Sequence, residues 1–461
     1  MTRFGHVSRL IALALTVASF ATGSAADEVQ DRATSFREWD HLTDGWWGVR
    51  TRLEDRGVFF DVAYTGDFID VPIEGLDTGA VYLGNLDMTV TLHSWKLIPH
   101  DLGTLFVYGL VDHGGKPSTL VGDIQVTDNI EAPTTAKLYE IWWQRAFFDG
   151  RASALAGLYD VNSEFYVVES ADLFINSSFG IGPEVAASGV NGPSIFPNTS
   201  LALRLKAEPI PDWVISAAVM DGVAGDPADP SGTQVQFDAG DGIFFIAEVA
   251  RFWSRAPDER RAAKRPGETD ADTSLLNPTK RRRLGRTIER APYFLSVKLG
   301  TWLYSSEQPD LVAIAETGQT ASEPGHPGLY LLAEFDATEY SLMAVGGLSA
   351  FVQLGFADGD VAPFAGYTGA GLVYTGLIPT RPEDQLGVAV AAAYAGNGLD
   401  AVNLADGGVP ATAEVALELT YQLFPVRWLS IQTDLQYVIH PSALKSRPNA
   451  LVLGLRYVVD F

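Results

Sequence analysis

The chain closes on Leu451-Val452-Leu453-Gly454-Leu455-Arg456-Tyr457-Val458-Val459-Asp460-Phe461, and the alternation in this stretch decides the fold. A strand turns successive side chains to opposite faces. Leu451, Leu453, Leu455, Tyr457, Val459 and Phe461 therefore share one wholly apolar face, while Arg456 and Asp460 lie on the other. In a soluble sheet this would be an ordinary half-buried strand. Here the pattern recurs along the chain and ends on an aromatic residue. Apolar outer faces and polar inner faces are what a transmembrane β-barrel needs.

Composition agrees with export and with a barrel. Arg3 and Arg9, the apolar run Leu10 to Phe20 and the small residues Ser24-Ala25-Ala26 read as a cleavable signal over residues 1–26. That apolar run is too short for a membrane-spanning helix, and no later stretch is long enough to be one. The absence of cysteine fits either a soluble exported protein or a barrel. A formal charge of −25 disfavours nucleic acid as a partner and leaves two readings, acidic surface loops or a cation-attracting lumen. Aromatic residues make up 11% of the chain, and many fall near expected strand ends, as interfacial girdles require.

Alternation, punctuated by Gly, Pro, Asp and Asn clusters, places strands at 58–68, 83–94, 103–112, 136–147, 151–159, 199–208, 212–220 and 242–252. It continues at 293–304, 329–336, 343–356, 364–376, 385–395, 412–424, 428–439 and 450–461. The resulting expectation is an all-β, transmembrane antiparallel barrel of sixteen strands spanning 58–461, preceded by a periplasmic segment, 27–57. The even count is what single-chain outer-membrane barrels show.

Connections should alternate between short periplasmic turns and long outer loops. Phe148–Gly150, Pro209–Pro211 and Phe424–Arg427 are tight, whereas Asp160–Asn198, Asp221–Asp241 and Ser305–Gly328 are long. The exception is Trp253–Pro292, a basic insertion carrying Lys280-Arg281-Arg282-Arg283 that parity puts in the periplasm. It reads as a solvated insertion or as a contact for an acidic partner or anionic headgroups. The segment 160–198 is too long for a simple turn. Phe165, Tyr166, Phe174, Ile175 and Phe179 give it something to pack against, so it either folds into the barrel as a constriction, with Glu164 and Asp172 near the narrowing, or caps the mouth.

Several stretches resemble the carbohydrate-selective porins of the OprB type. They include Leu42 to Leu53, Tyr82-Leu83-Gly84-Asn85-Leu86-Asp87, Asn129-Ile130-Glu131-Ala132-Pro133, Gly157 to Tyr166 and Phe174 to Gly180, and they close with Gln436-Tyr437-Val438, Asn449-Ala450 and the terminal strand. Their order is right and they cover nearly the whole chain after the signal. Two features depart from the family pattern. Its usual Gly-Asp-Trp-Gly-Gly start is replaced by Asp44-Gly45-Trp46-Trp47-Gly48, and the basic insertion has no counterpart. The resemblance implies passive diffusion of sugars through a barrel that is a trimer or a monomer, with a short amphipathic helix ahead of the first strand; Thr43 or Asp44 is the expected cap of that helix and Gly57 its left-handed stop. It also implies contact with outer-membrane lipid and lipopolysaccharide, and delivery to the barrel assembly machinery through the strand ending in Phe461.

Alternation nominates the lining. Glu140, Trp142, Arg204, Lys206, Lys298, Trp302, Glu414, Glu418, Asp434 and Arg456 point inward, because a charge on the lipid face would cost about 2–4 kcal/mol near the midplane. Sugar hydroxyls both donate and accept, and guanidinium and carboxylate groups satisfy them in pairs. Together with Glu164 and Asp172 these residues form the candidate sugar-contact set, with Trp142 and Trp302 as stacking platforms. A polar wall is also what any water-filled pore has, so a general or cation-preferring porin is the alternative. Catalysis is not expected, since the histidines are scattered and only His93 faces inward, with Ser94 turned away from it. A weak calcium candidate lies at Asp226 and Asp229; no other cofactor is expected. A plugged, purely structural barrel is the remaining class.

Overall fold

The structure, a computed structural model, describes residues 39–461 apart from 234, 236–239, 255–292 and 338–346. The strands are β1 (Val58–Glu74), β2 (Gly79–His93), β3 (Thr104–Gly114), β4 (Thr135–Phe147), β5 (Ala152–Tyr159), β6 (Ser200–Ile210), β7 (Trp213–Asp221) and β8 (Ile243–Ser254). They continue as β9 (Tyr293–Pro309), β10 (Ser322–Ala337), β11 (Gly347–Ala357), β12 (Phe364–Thr375), β13 (Gln385–Ala395), β14 (Ala413–Val426), β15 (Leu429–Ile439) and β16 (Ala450–Asp460). Each pairs with the next in the chain, and β16 pairs antiparallel with β1, so sixteen strands close into a barrel. Closure leaves no unpaired edge. No helix among the described residues is long and apolar enough to cross a membrane.

The alternation has its physical cause in the two solvents. On β6, Leu203 and Leu205 are 48% and 56% exposed, whereas Arg204 between them is 1% exposed. The leucines face outward where lipid would lie, and the arginine faces the interior. On β16 the same rule turns Leu453 and Leu455 out and buries Val452 and Arg456. Most strand boundaries set by such alternation are recovered within four residues.

Differences concentrate where alternation stops. β1 runs to Glu74 rather than 68, β9 to Pro309 rather than 304, and β10 starts at Ser322 rather than 329. The added part of β9, Ser305-Ser306-Glu307-Gln308-Pro309, has no apolar face, so pairing continues there without the pattern that lipid imposes. β8 includes Trp253 and Ser254, which shortens the basic insertion; its residues 255–292 lie outside the described residues, together with the expected signal, residues 27–38 of the expected periplasmic segment and residues 343–346 of the expected strand 343–356.

The rim bearing Phe461 carries the short turns, including the two-residue link Arg427–Trp428 between β14 and β15. It also carries a seven-residue helix, Val49–Asp55. Neither Thr43 nor Asp44 caps that helix: its N-cap is Gly48 at φ 80°, and Thr43 Oγ1 accepts a bond from Trp46 Nε1 at 2.8 Å instead. Gly57, at φ 84°, does stop it in the left-handed region. The segment is tied to the end of the chain, with Leu42 N donating to Asp460 O at 2.7 Å and Arg50 Nη2 to Phe461 O at 2.6 Å.

Candidate functional site

The site is the barrel interior. Two connections from the rim opposite Phe461, 160–199 and 115–134, bind inward-facing side chains of the wall. Along the first, Glu164 meets two cations of β6: Arg204 Nε lies 2.7 Å from Oε2 and Lys206 Nζ 3.2 Å from Oε1. Tyr159 OH donates to Oε2 at 2.7 Å. Burial alone would raise this carboxyl, but Arg204 and Lys206 outweigh it and hold Glu164 down at about 2.

Beyond Glu164 the wall fixes the backbone itself. Tyr166 N donates to Glu248 Oε2 at 3.1 Å, and Lys298 Nζ donates to Val167 O at 2.6 Å. Ser170 N donates to Glu334 Oε1 at 2.6 Å, and Gln432 Nε2 to Leu173 O at 2.7 Å. Ile175 N and Asn176 N donate to the two oxygens of Glu418 at 2.6 and 3.1 Å, and Gln353 Nε2 donates to Phe179 O at 2.9 Å. Carboxylates of β8, β10 and β14 thus accept orphan amides, while lysine and glutamine side chains of β9, β11 and β15 satisfy orphan carbonyls. A segment without its own ladder can be buried only if such partners exist.

The apolar side of the segment fills the rest. Phe165, Tyr166, Phe174, Ile175 and Phe179 are all buried. Phe174 packs on Phe179 and Phe351 at ring separations of 4.9 and 5.8 Å. On β13, Gly387 makes room: a Cβ there would lie 2.8 Å from both Leu173 Cδ2 and Phe174 Cζ. Glu184, at the far end of the segment, is buried with Tyr166 OH on its Oε1 at 3.0 Å, and burial pushes its carboxyl up to about 7.

The connection 115–134 joins this arrangement from the other side. Ile124 N and Gln125 N donate to Glu414, at 3.0 and 2.9 Å, and Gln436 Nε2 donates to Thr127 O at 2.9 Å. Arg456 Nη2 reaches Asp128 Oδ1 and Asn129 Oδ1 at 3.0 and 2.8 Å. Burial and the neighbouring Asp67 raise the Asp128 carboxyl well above its usual range. The two connections bond to each other through Asn129 N to Ile175 O, 2.9 Å, and Ser177 N to Val126 O, 3.0 Å.

The nominated residues therefore separate into two groups. Glu164, Lys206, Asp172 and Lys298 keep partial exposure. Glu140, Trp142, Arg204, Trp302, Glu414, Glu418, Asp434 and Arg456 are buried. Trp142 lies parallel to Phe106 at 4.8 Å and donates Nε1 to Glu140 Oε2 at 3.1 Å, while Trp302 is 1% exposed beside Tyr330. Asp434 Oδ2 accepts from Gln436 Nε2 at 2.9 Å. Sequence reading gave no role to Glu248, Gln353 or the 115–134 connection. Inward parity nominates Glu248 as readily as Glu334; nothing in alternation points to an inward-folded connection.

Elsewhere, His93 Nδ1 lies 3.0 Å from Thr104 Oγ1. Asp226 Oδ1 accepts Ala228 N at 2.8 Å, a turn bond, and no group of three acidic or histidine side chains able to hold a metal occurs among the described residues.

A closed antiparallel barrel with an apolar outside and an interior narrowed by its own connections defines a channel-forming outer-membrane protein of porin architecture. A family model, "Carbohydrate-selective porin, OprB family", matches residues 77–461, and the chain belongs to that family. Porin B of Pseudomonas aeruginosa is 22% identical over 484 aligned positions, which span 98% of each chain. The high-pH structure of Pseudomonas putida OprB superposes with a TM-score of 0.75 at 21% identity, covering 93% of this chain and 100% of that one. Its low-pH structure gives 0.54 at 18% identity, covering 92% and 99%.

Proposed function

We propose that this protein lets monosaccharide-sized carbohydrates such as glucose diffuse passively across the outer membrane, through the space left beside the inner segment. The observation that supports this most is the bonding of Glu164 to Phe179 to side chains from β6, β8, β9, β10, β11, β14 and β15. A segment held at so many points is a fixed narrowing, and the polar groups that stay exposed to solvent along it meet whatever passes. Direct sugar contact is assigned to Glu164, Lys206, Asp172 and Lys298, which keep solvent exposure. The buried candidates shape the passage.

Permeation needs contacts that favour the solute yet release it. Conductance of the refolded protein in a planar bilayer, titrated with glucose and with a size-matched polyol, tests the reading. Saturable block by the sugar, weakened in Lys206→Ala, supports it. Conductance that falls with solute size alone favours a general porin. A cation-preferring porin is the second reading, favoured by 57 acidic against 32 basic residues.

The same proposal includes cleavage after Ala26, lipopolysaccharide around the outer rim, and recognition of the strand ending in Phe461 by the assembly machinery. Mass spectrometry of the mature protein and native mass of the detergent-extracted form test the cleavage and the choice between monomer and trimer.

A further inference from the structure

In the helix Val49–Asp55, at the rim bearing Phe461, Arg50 is the buried residue, at 5% exposure. Its Nη2 donates to Phe461 O at 2.6 Å, and its guanidinium lies 4.7 Å from the centre of the Trp46 ring. Its Nε and Nη1 have no hydrogen-bond partner. Buried donors in a folded protein are almost always met, by the chain itself or by something bound to it. An enclosed guanidinium with idle nitrogens therefore marks a place where a hydroxylic group from outside the chain belongs.

Asp61 shows which way that place opens. Of the charges around Arg50 it acts most strongly, ahead of Glu54, Asp44 and Asp460. Alternation puts Asp61 on the inner face of β1, in phase with Ala63, Thr65 and Asp67, and solvent still reaches it. Across the ladder it faces Thr89 of β2, and Phe59, the preceding inward residue of β1, faces Thr91. Phe59 also keeps solvent contact, with Lys96 Nζ over its ring at 5.3 Å. The guanidinium is thus held between the end of the chain and an inward carboxylate, at the inner lip of the rim that carries the short turns. Short turns mark the periplasmic side.

We propose that Arg50 and Asp61 form an exit subsite, which binds the hydroxyls of a neutral carbohydrate as it leaves the barrel on the periplasmic side. A sugar hydroxyl both accepts and donates, so it can take a hydrogen bond from Arg50 and give one to Asp61. Bonds to charged groups are the stronger kind, and the two charges together leave a neutral solute unopposed. The proposal rests on the carbohydrate-channel reading and adds to it a second binding point, apart from the inner segment. Several weak sites in series suit permeation, since each must release what it binds.

The test uses the full chain in a planar bilayer, inserted in one known orientation, with glucose added to one side at a time and its block read from the current noise. The unaltered channel should be blocked saturably from either side. In Asp61→Ala and in Arg50→Met, affinity for glucose added on the periplasmic side should fall about tenfold, the low end of what a hydrogen bond to a charged group supplies. Affinity from the outer side, where the solute meets the inner segment first, should hold. Arg50→Met also removes the bond to Phe461 O, so heat-modifiable migration checks that its barrel has closed. Asp61→Ala leaves that bond in place and decides the matter if Arg50→Met fails to fold. Undiminished periplasmic-side block in Asp61→Ala, or an equal loss from both sides, overturns the exit subsite and leaves the carbohydrate reading intact. So does block of the unaltered channel from the outer side only. Block from neither side overturns the carbohydrate reading and the exit subsite with it.

Discussion

Arg456 of the last strand grips Asp67 of the first. Its Nε lies 2.9 and 3.0 Å from the two carboxylate oxygens and its Nη2 2.6 Å from Oδ2, directly across the seam where β16 pairs with β1. The same guanidinium holds Asp128 of the inward-folded 115–134 connection. One side chain therefore joins barrel closure to the filling of the lumen, and both carboxylate partners are fully buried. Removing it strands two carboxylates. Arg456→Met should cost about 3–5 kcal/mol, the range for breaking one buried ion pair. Unfolding in denaturant, followed by heat-modifiable migration, measures it. A loss below about 1 kcal/mol, the surface-pair range, would mean that water already screens the site.

Glu418 makes a different kind of bond, since its partners are the backbone amides of Ile175 and Asn176, one on each oxygen. Glutamine keeps the shape but offers one acceptor and one NH2. In Glu418→Gln an amide is left facing a donor, at a cost of about 1–3 kcal/mol. The barrel wall loses nothing, so the cost should fall on the inner segment. Single-channel conductance is expected to rise and saturable sugar block to weaken, with the heat-modifiability of the barrel unchanged. Unaltered conductance would show that the segment holds its place without this carboxylate.

The barrel was legible in the sequence because lipid enforces a strict rule. Leu203, Arg204 and Leu205 can be sorted by parity alone, and so can Glu418 and Gln432. What parity cannot tell is what an inward side chain meets. Arg204, Trp142 and Glu414 were nominated as lining a water-filled wall, yet each is enclosed by other parts of the chain. The segment 160–198 betrayed itself by its aromatic residues. The connection 115–134 did not: Gln125, Thr127, Asp128 and Asn129 read as ordinary loop residues, and their role depends on Glu414, Gln436 and Arg456, hundreds of residues away. Polar complementarity across such distances has no periodicity. The outer ends of β9 and β10 were missed for the related reason that strands outside the apolar band need no apolar face.

Gly387 offers a test of seating that leaves every polar group in place. Its missing side chain accommodates Leu173 and Phe174, and a Cβ would approach both at 2.8 Å. Gly387→Ala should displace that corner, overpacking it by about 1–3 kcal/mol. Because Leu173 O and Ile175 N flank the corner, sugar block should weaken in the same sense as in Glu418→Gln. The two substitutions share one element, so their effects should not add. Additive changes in the double variant would separate the wall contact from the carboxylate bond.

Acidity should act on the inner segment through two carboxyls with opposite signs. Glu184, raised to about 7 by burial, binds its proton more tightly folded than unfolded. Its contribution is fully present below the ordinary glutamate value and is lost as pH climbs through about 7. A shift of that size corresponds to about 3 kcal/mol. Glu164, depressed to about 2 by Arg204 and Lys206 despite its burial, contributes above the ordinary value and loses its contribution as pH falls toward 2. Between about pH 5 and 7, then, Glu164 is constant, and within the segment Glu184 contributes a slope of falling stability. The segment should loosen across that interval, seen as noisier conductance and faster cleavage by added protease. In Glu184→Gln, which stays neutral and can still accept from Tyr166 OH, the slope should flatten while the loss near pH 2 remains. A variant that keeps the wild-type slope would transfer the effect to another group.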